Sequence, residues 1–284
     1  MSTPDPDTQR LEMLDRWERA AVGWRKRADE VRDSGMPVSM RMIDQLGLQP
    51  GLRVLELAAG PGDTGFLASE LINPGGTLIS SDGTAAMLDI ARERASQLGV
   101  RNVEFQQLNL EWIDLETASV DAVLCRWGIM LILDPSAAAR ETRRVLRPGG
   151  RLAIAVWDEA AKNPWATIPG RALIARELAE PPDPNAPGMF TLAADGAVQE
   201  LLEDAGFVEV SVEAVEIKRP YPNVDAYLHE TRDLSMIFSE AIESAPDEEQ
   251  VAVAGLIADA LTPFTQPDGS LLIPGSSLVA AANA

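Results

Sequence analysis

This chain nearly lacks the two residue types that most often hold metals or form redox centres. Cys125 is the single cysteine and His229 the single histidine among 284 residues. One cysteine cannot form an internal disulfide, and without a cysteine pair or a second histidine there is no zinc-type ligand set. We therefore expect neither a disulfide framework nor a metal site.

Positive charge is also scarce. Lys and Arg together number 24 against 44 Asp and Glu, which gives a formal net charge of -20. A protein that binds a nucleic-acid backbone needs a basic surface to displace counterions from the phosphates. The charge balance therefore argues against RNA or DNA as a partner.

Long apolar runs are missing as well. No segment approaches the ~18 consecutive apolar residues of a membrane-spanning helix. The first ten residues, MSTPDPDTQR, are polar and acidic, with no signal-peptide core. Hydrophobic residues still make up 46% of the chain, an ordinary value for a globular protein. We expect a cytoplasmic protein without membrane insertion.

The apolar periodicity changes once along the first half of the chain. From Leu11 to Val31 apolar residues recur at three- and four-residue steps, which predicts an amphipathic helix, and a second short helix is expected over 38–46, after Pro37. Beyond that point, apolar runs alternate with helical stretches, which predicts a parallel sheet covered on both faces. The expected strands are 52–58, 76–82, 103–109, 120–127 and 151–157, and the expected helices 64–71, 84–98 and 135–146.

The second half of the chain has a looser pattern. Helices are expected over 162–179, 192–205, 224–242 and 247–261. Strands are expected over 207–221 and in the C-terminal LLIPGSSLVAAANA, where the Pro-Gly-Ser segment should break the strand. The segment EPPDPNAPG, residues 180–188, is expected to be a loop. We interpret the chain as a single domain. Its sheet core is expected over about 48–158, 192–221 and 270–284, and a helical cap or lid over about 8–47, 159–190 and 222–268.

The stretch VLELAAGPGDTG, from Val54 to Gly65, ends the first predicted strand in a G-x-G-x-x-G pattern. Only glycine lets the backbone approach a ligand this closely, and Asp82 follows where a ribose-binding acid is expected. The pattern is typical of NAD sites, but it does not by itself select the cofactor.

Glu56 distinguishes between two cofactors, because it lies four residues before Gly60. A carboxylate beside the glycine turn would repel the phosphates of a dinucleotide. It would attract S-adenosylmethionine, which carries a sulfonium and an ammonium and no phosphate. We therefore favour S-adenosylmethionine over NAD, with pairing of Glu56 to an arginine as the alternative.

The same stretch resembles motif I of the class I S-adenosylmethionine-dependent methyltransferases, and later segments follow in the order of that family. LNLEW (108–112) resembles the adenine-binding stretch, and VDAVLCRWGIMLILDP (120–135) the fourth strand and its loop. RVLRPGGRLAIAVW (144–157) resembles the helix, turn and fifth strand of the branch that includes the ubiquinone and menaquinone biosynthesis methyltransferases. LLEDAGFVEVSV (201–212) resembles the junction between the following helix and the sixth strand. The resemblance implies a Rossmann-like α/β fold: a mostly parallel seven-stranded sheet with helices on both faces and a helical cap.

The resemblance also implies roles for individual residues. Asp82 is expected to bind both ribose hydroxyls. Asn109, where the family usually has aspartate, is expected to accept a hydrogen bond from the adenine amino group, and Leu110 to donate its backbone N–H to the ring. The expected cofactor-binding residues are Glu56, Ala58, Gly60, Pro61, Gly62, Asp82, Gly83, Met87, Asn109, Leu110, Glu111, Arg126 and Trp127.

Two of these residues follow the fourth strand. Ligands of open α/β sheets bind at the carboxyl ends of the strands. Arg126 is therefore expected to bind the methionine carboxylate or a substrate acid, and Trp127 to face the sulfonium. An arginine in a structural ion pair and a tryptophan in the core are the alternatives.

The apolar cap residues suggest a pocket for an apolar or aromatic substrate. His229, on a predicted cap helix, is the candidate general base for a hydroxyl acceptor, because imidazole titrates near neutral pH. An exposed or capping histidine is the alternative. The expected pocket residues are Trp24, Met36, Trp127, Trp157, Trp165 and Tyr227.

The sequence thus predicts methyl transfer from S-adenosylmethionine to a small molecule through an oxygen, nitrogen or carbon acceptor, by a monomer or homodimer. S-adenosylhomocysteine would be the product. Three alternatives stay open: an NAD(P)-dependent oxidoreductase, a methyltransferase-like protein that binds the cofactor without catalysis, and a methyltransferase of RNA or protein. The negative net charge and the apolar cap disfavour the last.

Overall fold

The computed structural model describes residues 5–183 and 186–284. The first four residues of the polar N-terminal stretch and residues 184–185 of the expected loop lie outside this range. The strands are β1 Arg53–Leu57, β2 Thr77–Asp82, β3 Val103–Gln107, β4 Val120–Arg126, β5 Leu146–Trp157, β6 Val208–Tyr221 and β7 Leu271–Asn283. They form a single sheet in the order β3-β2-β1-β4-β5-β7-β6.

The helices precede, separate and follow these strands. They are α1 Pro6–Lys26, α2 Ala28–Leu46, α3 Asp63–Leu71, α4 Ala85–Leu98, α5 Pro135–Val145, α6 Pro164–Ala175, α7 Ala197–Asp204, α8 Val224–Leu234, α9 Met236–Glu243 and α10 Asp247–Leu261. Within the described residues, no helix is long and apolar enough to cross a membrane.

The sheet is mostly parallel, as predicted. β1 pairs in parallel with β2 and β4, and β7 runs antiparallel to both β5 and β6. Successive side chains of β1 and β4 point to opposite faces, yet nearly all of them are buried. Both faces of the sheet are therefore covered, which explains why these strands are continuous apolar runs in the sequence.

The first two helices differ from the prediction. The periodic residues from Leu11 to Val31 belong to two helices that separate at Arg27, and Pro37 lies inside α2 rather than before a helix. Arg27 departs from helical geometry with a φ of -108°. Apolar spacing continues through this change of direction, so periodicity could not reveal it. The fixed φ of proline fits a helix, and Pro37 removes only one N–H bond.

The C-terminal half differs in two further elements. The helix expected over 224–242 is broken at Ser235, whose hydroxyl accepts a hydrogen bond from the Phe238 N–H and begins α9. β7 continues through Pro274, where a break was expected. The β5 strand ends opposite Ser277, so Pro274 pairs only with β6 and its missing N–H costs no bond to β5.

Helix α1 packs tightly against α8 at Gly23. A Cβ atom at Gly23 would lie 1.7 Å from the backbone oxygen of Asp233. The Asp233 carboxylate also accepts hydrogen bonds from Lys26, at 2.9 Å, and from Arg27, at 2.6 Å. These contacts fix α1 over the carboxyl ends of the strands.

We expect Gly23→Ala to lower the free energy of unfolding by about 1–3 kcal/mol, because the added methyl forces α1 and α8 apart. Gly255→Ala is the matched control, since Gly255 is helical and none of residues 5–183 and 186–284 places an atom within 4 Å of its Cβ position. That change should stabilise the protein by roughly 0.5–1 kcal/mol. Urea unfolding of both variants checks the contact, and equal stabilities would disprove it.

Candidate functional site

A cavity of about 610 Å³ lies at the carboxyl ends of β1, β2 and β4. It extends from the loops that follow these strands to the inner faces of α1, α6, α8 and α9. One cavity therefore joins the glycine turn after β1 to the helices that cover the sheet.

The glycine turn after β1 uses its glycines for different purposes. Gly60 and Gly62 have φ values of 53° and 86°, in the left-handed region that favours glycine. A Cβ atom at Gly60 would meet no atom of the described residues within 4 Å, so this position opens onto the cavity. A Cβ atom at Gly62 would lie 2.6 Å from Cζ of Phe66. Gly62 does not line the cavity; it makes room for Phe66.

Glu56 is buried at the end of β1 and supports this turn. Its Oε1 accepts the Gly65 N–H at 2.7 Å, and its Oε2 accepts the Ser80 hydroxyl at 3.0 Å. Burial raises the pKa of Glu56 to about 8, against the opposing effects of these hydrogen bonds and the charge of Arg126. A Cβ atom at Gly65 would lie 2.2 Å from Oε2, so the third glycine makes room for the carboxyl group.

Asp82, at the end of β2, connects the turn to the next loop. Its Oδ2 accepts the Gly60 N–H, and its Oδ1 accepts both the backbone N–H and the hydroxyl of Thr84, each at 3.0 Å. Burial raises the pKa of Asp82, while these hydrogen bonds oppose the rise. The carboxylate lines the cavity and fixes the position of the turn at the same time.

Glu111 joins three parts of the chain on the far side of the cavity. Its Oε2 accepts a 2.5 Å hydrogen bond from Nε of Arg10 on α1, and its Oε1 accepts the Asp134 N–H before α5 at 3.0 Å. The Glu111 N–H itself donates to Oδ1 of Asn109 at 2.8 Å. The side-chain oxygen of Asn109, which is expected to accept a hydrogen bond from adenine, therefore already accepts one from the backbone. The sequence did not reveal this local hydrogen bond.

Arg126 is the last residue of β4 and also lines the cavity. Its Nε donates to the Thr64 hydroxyl at 2.8 Å, and its guanidinium carbon lies 4.3 Å from the Trp127 ring centroid. Its Nη1 is buried without a hydrogen-bond partner among the described residues. Burial lowers the pKa of Arg126 to about 10. Arg126 lines the cavity, and a guanidinium there is suited to bind an anionic oxygen.

Three tryptophans form one wall of the cavity. Trp127 and Trp157 are stacked with ring centroids 4.0 Å apart, and the edge of Trp165 meets Trp157 at 4.9 Å. The indole N–H of Trp127 donates to the Ser277 hydroxyl at 3.0 Å. This tryptophan wall presents flat apolar surface to a bound molecule.

A buried polar cluster, formed by Arg219, Tyr221 and Glu230, lies beyond the tryptophan wall. The Arg219 guanidinium carbon lies 4.2 Å from the Trp165 ring centroid. Its Nη2 donates to Oε1 of Glu230 at 2.5 Å, and its Nε to the Tyr221 hydroxyl at 2.9 Å. The Tyr221 hydroxyl donates to Oε1 of Glu230 at 2.7 Å.

Sequence reasoning missed this polar cluster. Arg219 and Tyr221 are two residues apart on one strand, so their shared face was the available signal. Nothing in the sequence brings Glu230, on α8, to the same place. Among the described residues, no group of three or more His, Cys, Asp or Glu is placed to hold a metal ion.

Most of the residues predicted from the sequence meet in the cavity, but three do not. Gly62 packs on Phe66, Met36 is half-buried on α2 outside the cavity, and His229 is exposed. Consecutive residues of a helix point about 100° apart, so Glu230 faces the cavity and His229 faces away. The structure gives no support to His229 as a general base. The predicted residues that line the cavity are Glu56, Ala58, Gly60, Pro61, Asp82, Gly83, Met87, Asn109, Leu110, Glu111, Arg126, Trp127, Trp24, Trp157, Trp165 and Tyr227.

Comparison with known proteins agrees with this geometry. A family model described as a methyltransferase domain matches residues 48–206. A ubiquinone/menaquinone biosynthesis C-methyltransferase from Hahella chejuensis is 38% identical over 113 residues, which cover 39% of this chain and 45% of that protein. An uncharacterised protein from Mycobacterium tuberculosis is 32% identical over 157 residues, or 55% of each protein. This chain thus spans about half the length of the curated relatives it matches.

A solved structure extends the similarity over nearly the whole chain. A phosphoethanolamine N-methyltransferase from Haemonchus contortus, in complex with phosphomonomethylethanolamine and S-adenosylhomocysteine, has a TM-score of 0.59 at 18% identity. The match covers 96% of this chain and 60% of that one. The two proteins therefore share a fold.

Proposed function

Because this chain belongs to the methyltransferase domain family, we propose that it binds S-adenosylmethionine and transfers the methyl group to a small molecule. The observation that carries the proposal is the single cavity that joins the glycine turn to the tryptophan wall and the polar cluster. When bound, S-adenosylmethionine supplies a methyl group that its sulfonium already activates.

The residues at the strand ends fit this cofactor. Gly60 leaves open the space that a Cβ would fill. Asp82 presents a carboxylate suited to ribose hydroxyls. The guanidinium of Arg126, which lines the cavity, is a donor for the methionine carboxylate, or for an acid on the acceptor. A dinucleotide fits less well when Glu56 is charged, because its carboxylate then lies beside the turn in the same cavity and repels phosphates.

The contribution of the protein to such a transfer is mainly positioning. When the protein holds donor and acceptor in line, a bimolecular reaction becomes effectively unimolecular, and its barrier is lower. The tryptophan wall fits an apolar or aromatic acceptor. The faces of the Trp127 ring are covered by the Arg126 guanidinium and by Trp157, so its face is not the contact for the sulfonium. A net charge of -20 disfavours nucleic acid as the acceptor. We propose that sheet and cap act as one domain, because residues of both line the cavity.

Calorimetric titration with S-adenosylhomocysteine and with NAD tests the proposed cofactor. Binding of S-adenosylhomocysteine without binding of NAD is expected, and the reverse result would contradict the proposed cofactor and favour the oxidoreductase alternative. Turnover on a panel of phenols, quinols and amines then tests catalysis. A protein that binds the cofactor but methylates none of them would match the non-catalytic alternative.

The charge of Glu56 is expected to make cofactor preference pH-dependent. Its pKa of about 8 leaves the carboxyl group mostly neutral at neutral pH and charged in mild alkali. S-adenosylmethionine carries a sulfonium that S-adenosylhomocysteine lacks, so its relative affinity should rise several-fold from about pH 7 to about pH 9. Taking the ratio of the two affinities removes the pH effects that are common to both ligands.

Glu56→Gln is the matched variant, because glutamine keeps the size of the side chain and never becomes charged. Its amide oxygen accepts the Gly65 N–H as the carboxyl oxygen does. In this variant the affinity ratio should stay constant with pH. If calorimetry shows that the affinity ratio of Glu56→Gln still rises with pH, a group other than Glu56 causes the effect.

A further inference from the structure

The cavity has one carboxylate whose role the proposed function leaves open. Among the described residues that line it, the carboxylates are Glu56, Asp82, Glu111 and Glu230, and none is His, Lys or Cys. The first three support loops at the strand ends through backbone N–H groups. Glu230 instead lies on α8, in the half of the cavity beyond the tryptophan wall. It is the proton acceptor available to an acceptor molecule there.

The hydrogen bonds of Glu230 leave one oxygen for a ligand. Both the bond from Arg219 and the bond from Tyr221 reach Oε1. Of the two carboxylate oxygens, Oε2 is therefore the one available to a bound molecule. The two bonds also hold the carboxylate in one orientation, which a substrate contact requires.

The neighbours of Arg219 hold the polar cluster in place. Arg219 stacks on Trp165, and its Nη1 lies 3.4 Å from the Ser34 hydroxyl of α2. The Tyr227 hydroxyl donates to the Trp165 backbone oxygen at 2.6 Å. Arg219 and Glu230 are only 5% and 7% exposed. A buried ion pair is weak evidence for stability, because desolvation offsets the attraction. Its position in a cavity wall indicates a use in binding or chemistry.

We propose that Glu230 is a catalytic residue that binds the hydroxyl of a small phenolic acceptor through Oε2 and takes its proton. This inference rests on the proposed function. The hydroxyl oxygen forms a bond to the methyl carbon, and the carbon–sulfur bond breaks with its electron pair left on sulfur. The O–H proton moves to Oε2 and is later released to solvent. Arg219 and Tyr221 are positioning residues that act through Glu230.

Phenols of different acidity distinguish proton transfer to Glu230 from a merely structural role of this residue. In Glu230→Gln, turnover of weakly acidic phenols should fall by about 10²-fold or more, as expected when a general base is removed. The loss should shrink for a nitro-substituted phenol that is already ionised at the assay pH, because no proton then has to leave. The dissociation constant of S-adenosylhomocysteine should stay unchanged. The adjacent exposed His229→Gln is the matched control and should behave as wild type.

Binding gives a readout that does not depend on turnover. Quenching of tryptophan fluorescence reports a phenol that binds to protein saturated with S-adenosylhomocysteine. Glu230→Gln should weaken this binding about tenfold or more, because it replaces a charged acceptor by a neutral one.

A second variant covers the case in which Glu230→Gln leaves Arg219 unpaired and misfolds. The double change Arg219→Met with Glu230→Met removes both charges and leaves no buried charge uncompensated. It should show the same dependence on phenol acidity. Wild-type turnover of weakly acidic phenols in either folded variant would overturn the inference.

The failures of the two proposals are distinguishable. Wild-type protein that binds S-adenosylhomocysteine and methylates amines but no phenol would overturn the role of Glu230 alone. Wild-type protein that does not bind S-adenosylhomocysteine would overturn the proposed function, and the role of Glu230 with it.

Discussion

Gly60→Val is expected to abolish binding of S-adenosylhomocysteine while the protein stays folded. Within the part of the chain that the structure describes, no atom lies within 4 Å of a Cβ at this position, and the position opens onto the cavity. The valine side chain would therefore occupy ligand space and displace no part of the fold. Its strained φ of 53° should cost about 1–2 kcal/mol of stability. Calorimetry should find an affinity loss of at least ~10²-fold, which corresponds to ~2.7 kcal/mol.

Gly62→Val is the matched comparison within the same turn. Its Cβ would lie 2.6 Å from Phe66, so the clash is with the protein itself. Thermal unfolding should show a larger loss of stability than in Gly60→Val. If Gly60→Val binds S-adenosylhomocysteine normally, the turn is a structural connection and the proposed cofactor site is wrong.

Asp82→Ala should weaken S-adenosylhomocysteine binding by about 2–3 kcal/mol, as expected for the loss of charge-assisted hydrogen bonds. The structure gives this loss two sources. One is the contact that we propose with the ribose hydroxyls. The other is the hydrogen bond to the Gly60 N–H, which fixes the turn.

A modified ligand separates the two sources. To wild-type protein, an S-adenosylhomocysteine analogue without the ribose 2′-hydroxyl should bind more weakly than the parent ligand. To Asp82→Ala, the analogue and the parent ligand should bind with about the same affinity. Calorimetry on the four combinations measures this coupling directly. If the two losses simply add, Asp82 acts through the turn and does not touch the ribose.

The sheet was predictable because its signal is local. Buried parallel strands are continuous apolar runs, and helices separate them at regular intervals. The divided N-terminal helix and the unbroken β7 were not predictable from periodicity. Arg27 interrupts no apolar pattern, and Pro274 is tolerated only because β5 has already ended beside it. Both outcomes depend on what a neighbouring element does.

The candidate site divides in the same way. Gly60 and Asp82 belong to a short sequence pattern with a known spacing, so they could be placed in the cavity in advance. Arg219 and Glu230 meet only because α8 packs over β6, and no local pattern encodes that contact. His229 lies one position before Glu230 on α8, and one position along a helix is enough to turn a side chain from the cavity to the surface.

Helix α2 contacts the guanidinium groups of both Arg126 and Arg219 through consecutive residues. A Cβ at Gly35 would lie 2.2 Å from Nη1 of Arg126, and the Ser34 hydroxyl lies 3.4 Å from Nη1 of Arg219. A ligand that moved one guanidinium would therefore act on the same turn of α2 that contacts the other. Any coupling carried in this way would be reciprocal: donor and acceptor would change each other's affinity by the same factor, whichever binds first.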